Sequence, residues 1–155
     1  LNQGIALKRK VVADLRPPLL SELGLVEALR ALPDSGDIGE HGGRLEIELP
    51  DTLPDVPAQT ALALYRIAQE ALTNVRRYAQ ARSVRLRLGV EGDELVLAVE
   101  DDGVGFDPAA REHNRHGLAG MRERLAELHG RLELLSPPDG GLCVRARLPQ
   151  PVPVT

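Results

Sequence analysis

The spacing of apolar side chains along the chain predicts four helices. Leucine, valine and alanine recur every three or four residues in four segments, which places them on one face of a helix. The segments are Ile5–Leu15, Leu23–Leu32, Ala58–Ala79 and His116–Leu128. The first segment begins in mid-pattern without a capping residue, so we expect it to be the end of a longer helix.

Alternation of apolar and polar residues predicts five strands. They are Arg44–Leu49, Ser83–Val90, Glu94–Val99, Arg131–Leu135 and Cys143–Leu148. Such alternation is typical of strands with one buried face, and Glu91-Gly92-Asp93 is expected to form a hairpin loop. The order of helices and strands favours an α+β fold, a two-layer sandwich in which helices cover one face of a mixed β-sheet.

Composition narrows the range of functions. The 155 residues suffice for one domain with a substantial core. Two Tyr, one Phe and no Trp leave few rings for base stacking, and the net charge of −4 opposes general affinity for DNA, so we expect no nucleic-acid partner. One cysteine, Cys143, and four scattered histidines offer no zinc-ligand spacing. No apolar run approaches the roughly 18 residues of a membrane span, so we expect a cytoplasmic domain.

A polar stripe accompanies the apolar face of the helix predicted for Ala58–Ala79. Arg66, Glu70, Asn74 and Arg77 follow each other at spacings of three or four residues, so their side chains stack on one face. The stripe could be a solvent-exposed face with incidental pairs worth about 0.2–0.5 kcal/mol each. Alternatively, Asn74 could offer Mg²⁺ an oxygen ligand, Arg77 could meet phosphate, and Glu70 could orient or deprotonate an attacking group.

An acidic, glycine-bearing segment, Asp101–Phe106, follows the apolar strand that ends near Val99. A carboxylate at a strand end can accept a hydrogen bond from an exocyclic amine, and neighbouring glycines let a flat base approach the backbone. This combination suits adenine. The alternative is an ordinary Asp-Gly turn. A calcium-binding EF-hand is a weaker rival, because the required acidic spacing is missing.

Two further glycines stand at the N-terminal end of the helix predicted for His116–Leu128. Backbone N–H groups at such an end, together with the helix dipole, bind phosphate, so Gly117 and Gly120 are candidates for a phosphate contact. The alternative is a helix that merely starts on a glycine-rich stretch. The polar Asp107–Arg115 segment between the two glycine motifs is expected to form a lid over the nucleotide.

Three segments in this order resemble the sequence boxes of sensor histidine kinases. The N box and the first and second glycine boxes are matched, respectively, by Tyr65–Val75, Asp101–Phe106 and Gly117–Met121, the last followed by Arg122-Glu123-Arg124. Leu15–Leu20, with Gly24-Leu25 and Ala28-Leu29, is similar to the junction after the dimerisation helices in the nitrate-sensor-like and desaturase-regulating subfamily. The resemblance covers roughly Leu7 to Pro149.

The resemblance implies the Bergerat-type ATP-binding sandwich shared with type II topoisomerases and some chaperones, with ATP and Mg²⁺ as cofactors. It implies that Asn74 ligates Mg²⁺, that Glu70 is the general base or orienting group, and that Asp101 reads adenine. It also implies ATP contacts at Arg77, Gly103, Gly105, His116, Gly117, Leu118, Gly120 and Met121.

The resemblance further implies a division of labour within a larger protein. Residues 1–32 would be the end of a dimerisation helix and a junction, residues 33–149 the ATP-binding catalytic domain, and residues 150–155 a disordered tail. The domain would transfer the γ-phosphate of ATP to a His on a dimerisation domain, for relay to an Asp of a response regulator. The full-length protein would be a homodimer, whereas the chain by itself could be a monomer.

No histidine of the chain is expected to be the phosphate acceptor. None precedes His41, which lies in a glycine-rich loop, while His113 and His116 fall in or beside the lid and His129 near a helix end. We therefore expect ATP binding without autophosphorylation.

Two departures from the family pattern and two rival functions stay open. Tyr78 stands where the subfamily often has His, and Leu142 follows Gly141 where the family usually has Thr, which removes a hydroxyl near the base. The rivals are another ATPase or an anti-sigma serine kinase on the same fold, and a non-catalytic interaction module. The basic cluster of Arg82, Arg85 and Arg87 predicts a solvated sheet face or, as the alternative, a face for partner docking.

Overall fold

A computed structural model describes residues 18–32, 44–53, 55–76, 81–103, 115–138 and 140–150; the side chains of residues 115, 116 and 118 are outside this description. Within these ranges, helices and strands follow the predicted order, with one additional short helix at the start. They are α1 (Pro18–Leu23), α2 (Leu25–Ala31), β1 (Arg44–Glu48), α3 (Ala58–Asn74), β2 (Ser83–Glu91), β3 (Glu94–Asp101), α4 (Arg115–Glu127), β4 (Arg131–Leu135) and β5 (Leu142–Pro149).

The five strands form one mixed sheet in the order β1-β2-β3-β5-β4. β1 runs parallel to β2, and the other neighbours are antiparallel. The parallel pair requires a crossover, which α3 supplies between β1 and β2. The predicted mixed α+β sheet is therefore confirmed.

The two faces of the sheet differ in chemistry. Leu95, Leu97 and Val99 of β3 belong to the buried cluster that also holds the inward side chains of the helices. Val96 and Ala98, which alternate with them, point to the opposite face, where their cross-strand neighbours are arginines or glycine. The helices thus cover one face, as the alternation predicts.

Among the described residues, the other face carries ion pairs. Arg85 lies 3.4 Å from Glu46 and 3.8 Å from Glu48, and Arg87 lies 3.9 Å from Glu48. All these side chains are about half exposed, so each pair contributes at most ~1 kcal/mol. These partners favour a solvated face for Arg85 and Arg87 over a docking face.

Helix α3 lies against the sheet through small and aliphatic side chains. Leu64, Ile67 and Ala68 are at most 1% exposed, and Ala71 and Leu72 are nearly as deeply buried. Alanines at this spacing let the helix approach the strands closely, while each fully buried leucine contributes roughly 1.5–3 kcal/mol. This packing fixes the direction in which the polar side of α3 points.

The helix predicted for Leu23–Leu32 is confirmed as α2, which begins at Leu25, whereas the short helix α1, which begins at Pro18, was not predicted. Gly24 separates them with φ = +88°, a left-handed conformation that ends α1 and that glycine adopts without steric cost. Pro18 is compatible with a helix start because its missing N–H would have no partner there.

Helix α4 ends in a Schellman motif whose left-handed residue is His129. The N–H of Gly130 donates to Leu125 O at 2.7 Å, and that of His129 donates to Ala126 O at 3.0 Å. Gly130 follows the helix predicted for His116–Leu128 and is the residue type that usually closes a helix, but the positive φ, 62°, belongs to His129. Gly130 is needed for another reason, because a Cβ there would overlap the Leu148 side chain.

Some expectations fall on residues outside the described ranges. These are the first helix (Ile5–Leu15), the glycine-rich loop before β1, the C-terminal part of the helix predicted to reach Ala79, the lid and the disordered tail. Within the described ranges, no helix is both long and apolar enough to cross a membrane.

Candidate nucleotide site

Helix α3 lines a cavity with its polar side. Arg66, Gln69, Glu70 and Thr73 are half-buried, and Arg76 is exposed at the end of the helix. The spacings of three and four residues bring these side chains onto one face, opposite to the face that packs on the sheet. Helix α3 therefore supplies most of the polar side chains that line this cavity.

The cavity lies between α3 and α4 and has a volume of about 520 Å³. Its described lining residues are Leu32, Arg66, Ile67, Gln69, Glu70, Leu72, Thr73, Arg76, Gly117, Gly120, Met121 and Arg124. Three guanidinium groups and one carboxylate share this lining with several apolar side chains. An excess of arginine suits an anionic ligand such as phosphate, which guanidinium groups bind with two parallel hydrogen bonds.

Glu70 meets the first turn of α4 at Gly117. A Cβ added to Gly117 would overlap Glu70 Oε1 and lie 3.2 Å from its Cδ. Gly120, one turn further along, has open space around the same added atom. The two glycines of this motif therefore differ: Gly117 is required for the close approach of Glu70, whereas Gly120 meets no such contact.

A short hydrogen-bond chain holds the polar side of α3. Arg66 Nη1 donates to Gln69 Oε1 at 3.1 Å, and Gln69 Nε2 lies 3.5 Å from the hydroxyl of Tyr65. Gln69 is thus a hydrogen-bond partner of Arg66. The chain orders the Arg66 guanidinium beside the cavity.

Asn74 is the last residue of α3 and is only 6% exposed. Its Nδ2 is buried and has no hydrogen-bond partner, a condition that costs about 1–3 kcal/mol. The helix widens to a π-turn at Val75 and Arg76 directly after it, a distortion that often accompanies functional sites. The interpretation of the polar stripe as a solvent-exposed face is therefore wrong for Asn74.

Asp101 ends β3 on the face of the sheet that the helices cover. Asp101 is 6% exposed, and its Oδ1 accepts a hydrogen bond from the N–H of Gly103 at 2.9 Å. Burial raises the pKa of Asp101, against the lowering effect of hydrogen bonds from the backbone of Gly103 and Leu142, and the charges of Asp102 and Glu100 add to the rise. A buried carboxyl with remaining acceptor capacity is suited to a ligand amine.

The structure brings some of the sequence-predicted site residues together and leaves others apart. Glu70, Gly117, Gly120 and Met121 share the cavity, whereas neither Asn74 nor the Asp101–Gly103 turn is among its described lining. Arg77 and Gly105 lie outside the described residues, as do Tyr78 and the lid, and so do the side chains of His116 and Leu118.

Several lining residues were not anticipated from the sequence. Gln69, Thr73 and Arg76 lie on the same helical face as Arg66 and Glu70, so the periodicity of α3 carried a signal for them. Leu32 and Arg124 come from other helices and carried no such signal, because their position depends on how those helices pack.

A family model described as "Histidine kinase-, DNA gyrase B-, and HSP90-like ATPase" matches residues 59–152. Among curated proteins, the histidine-protein kinase/phosphatase DegS of Brevibacillus brevis is 29% identical over 96% of this chain and 38% of its own length. The sensor histidine kinase MctS of Rhizobium johnstonii is 34% identical over 97% of this chain and 33% of its length. The chain thus spans about a third of these relatives.

Solved structures agree in fold. The histidine kinase domain of the E. coli osmosensor EnvZ has a TM-score of 0.59 and 26% identity, with 83% of this chain and 87% of that chain covered. The histidine kinase domain of a blue-light activated kinase from Erythrobacter litoralis EL346 has a TM-score of 0.64, with 81% and 59% covered. At 24% identity, this similarity shows the fold alone.

Proposed function

Because the chain belongs to the family of histidine kinase-, DNA gyrase B- and HSP90-like ATPases, we propose that it is the ATP-binding catalytic domain of a two-component sensor histidine kinase. The observation that carries the proposal is the cavity in which Glu70 meets the glycine-bearing first turn of α4 among three arginines. The names of relatives such as DegS and MctS support the same activity.

The base end of the nucleotide is assigned to Asp101. Its buried carboxyl would accept a hydrogen bond from the adenine amine, while Gly103 and Gly105 let the ring approach the backbone. The phosphates are assigned to the α3–α4 side of the site, where they would contact Arg77, Gly117 and Gly120. ATP would also contact His116, Leu118 and Met121 on this side. The arginine excess of the cavity supports this orientation.

Mg²⁺ fits the donor set near the end of α3. Within the described ranges, no group of three or more His, Cys, Asp or Glu side chains could hold a metal by itself. Mg²⁺ is bound in nucleotide sites by one or two protein oxygens with phosphate oxygens and water. Asn74 would supply such an oxygen through Oδ1, while its unpartnered Nδ2 is a hydrogen-bond donor that a phosphate oxygen would satisfy. The ion would neutralise phosphate charge.

The transfer itself is assigned to Glu70 and a histidine of another domain. The bond between the γ-phosphorus and its bridging oxygen breaks, a bond to the imidazole nitrogen forms, and ADP leaves. Glu70 would orient the imidazole or take its proton, because it is the carboxylate in the described lining of the cavity. We place this chemistry in the cytoplasm and expect partners outside the chain: a dimerisation domain, through which the full protein forms a homodimer, and a response regulator.

The test is a phosphotransfer experiment with labelled ATP. The chain alone should bind Mg-ATP by calorimetry and stay unlabelled, whereas adding the dimerisation domain should produce an acid-labile phosphoryl group on that domain. Asp101→Ala should abolish binding and leave the circular dichroism spectrum unchanged. An acid-stable label on a serine of another protein would point to an anti-sigma serine kinase, and the absence of nucleotide binding to an interaction module; either result contradicts the proposal.

A further inference from the structure

The turn that follows Asp101 is held from both neighbouring strands. On the β2 side, Asp102 Oδ1 accepts hydrogen bonds from the N–H groups of Arg82 at 2.8 Å and Ser83 at 2.9 Å. The N–H of Asp102 donates to Ser83 O at 3.2 Å. These three bonds join the end of β3 to the start of β2.

On the β5 side, the contact depends on the absence of a side chain. A Cβ on Gly141 would overlap the carbonyl oxygen of Asp101 and lie 2.8 Å from its carbonyl carbon and 3.0 Å from Asp102 Cα. These are backbone atoms, which cannot rotate away as the end of a side chain can. Gly141 also has φ = +89°, a left-handed conformation that favours glycine.

Gly141 directly precedes the residue that pairs with Asp101. Leu142 is the partner of Asp101 in the β3–β5 register, so both lie on the helix-covered face. The backbone conformation at Gly141 therefore sets where the Leu142 N–H points, and that group stands beside the Asp101 carboxyl. A shift of this backbone would turn the carboxyl as well as displace it.

We propose that Asp102 and Gly141 are positioning residues for base recognition: they clamp the main chain on either side of Asp101 so that its carboxyl points at the amine of the purine. This inference rests on the proposed role of Asp101 as the adenine reader. Neither residue needs to touch the nucleotide. Asp102 acts through the β2 backbone, and Gly141 acts by leaving room for the Asp101 carbonyl.

The chain offers a matched control for Gly141. Gly140 has φ = +100°, so an alanine there carries similar backbone strain, but the nearest atom to its added Cβ is Gly103 O at an ordinary 3.6 Å. Both Gly→Ala variants should melt at a lower temperature than the unsubstituted chain. Gly141→Ala, in which the Asp101 backbone must shift, is the variant expected to change base recognition.

The measurement is the affinity for ADP and for inosine diphosphate, whose ring carries a carbonyl where adenine carries the amine. The unsubstituted chain should prefer ADP. A hydrogen bond to a charged group is worth about 1.5–3 kcal/mol, so Gly141→Ala should lose ~10- to 100-fold of that preference. Gly140→Ala should keep the ratio of the two affinities even though it is destabilised.

Variants of Asp102 give a second, independent test that introduces no steric clash. Asp102→Ala removes the acceptor for the Arg82 and Ser83 N–H groups and should reduce the ADP preference, whereas Asp102→Asn keeps an oxygen at that position and should restore most of it. A purely structural role would lower the melting temperature without changing the ratio of affinities.

The possible outcomes separate the two proposals. A chain that binds no adenine nucleotide, or an Asp101→Ala variant with unchanged ADP preference, overturns the proposed role of Asp101 and the clamp with it. Normal ADP preference in folded Gly141→Ala and in Asp102→Ala overturns the clamp and leaves the role of Asp101 standing. If Gly141→Ala does not fold, the comparison of Asp102→Ala with Asp102→Asn decides whether the clamp exists.

Discussion

Replacing Gly117 with alanine tests the contact between Glu70 and α4. Alanine is favoured over glycine in a helix by roughly 0.5–1 kcal/mol. Here the new Cβ would overlap the Glu70 carboxylate. Moving that side chain to a strained position costs about 0.5–1.5 kcal/mol. The two effects oppose each other, so we expect Gly117→Ala to change the free energy of unfolding by less than ~0.5 kcal/mol.

A double-mutant cycle separates these two effects. In a Glu70→Ala background the added Cβ meets no carboxylate, so Gly117→Ala should raise the free energy of unfolding by roughly 0.5–1 kcal/mol. Gly120→Ala, which meets open space, should give a similar gain in the unsubstituted chain. Urea denaturation followed by far-ultraviolet circular dichroism measures all four corners of the cycle, with an expected coupling of about 1 kcal/mol.

Gly117→Ala should also change function in a way that measurements of stability do not detect. Gly117→Ala displaces Glu70 from its position beside α4, and a positioned general base contributes about 10²–10⁴ to a rate. Phosphotransfer to a dimerisation domain supplied in trans should therefore fall at least ~10-fold, by more than the affinity for ATP falls. Equal effects of Gly117→Ala on stability in both backgrounds, together with an unchanged transfer rate, would refute the reasoning.

Three further predictions concern single residues. His129→Gly relieves the left-handed conformation at the end of α4 and should raise the free energy of unfolding in urea by ~1 kcal/mol, whereas His129→Ala should not. Asn74→Leu removes the orphaned amide and should stabilise the nucleotide-free chain by about 1 kcal/mol while abolishing the Mg²⁺ dependence of ATP binding in calorimetry; retained dependence would place the ligand elsewhere. Because burial raises the pKa of Asp101, its contribution to stability is present below its ordinary pKa and lost as pH rises through the raised value; Asp101→Asn should therefore stabilise the nucleotide-free chain at neutral pH but not in acid, as urea titrations at both pH values would reveal.

The sequence predicts the elements of this fold well because they depend on local periodicity. The alternation of β2 and the helical spacing of α3 follow directly from which side chains are buried, whereas β3 is buried on both faces. Helix α1 was missed because it is only six residues long and begins at a proline, and Gly24 separates it from α2 by its backbone conformation. The left-handed conformation of His129 was missed because Gly130 stands next to it, and glycine is the residue that usually adopts this conformation at a helix end.

The candidate site was predicted in part, for the same physical reason. Glu70 and Arg66 share a helical face, which spacing alone specifies. The contact of Glu70 with Gly117 and the place of Arg124 in the lining depend on how α4 packs against α3, and a one-dimensional pattern carries no such information. Asn74 was placed on the polar stripe, although it is buried, because burial at the end of α3 depends on neighbours from other elements.

Burial of polar groups supports the assignment of Asn74 and Asp101 independently of any motif. Within the described ranges, the buried polar or charged side chains are Thr60, Asn74 and Asp101. Asn74 has an unpartnered Nδ2, and burial disfavours the ionised form of Asp101. Both residues therefore destabilise the chain when no ligand is bound. A ligand with an amine for Asp101 and a phosphate oxygen that accepts from Asn74 Nδ2 would offset both costs. Stability in its absence and affinity for it should therefore change in opposite directions in the Asp101→Asn and Asn74→Leu variants.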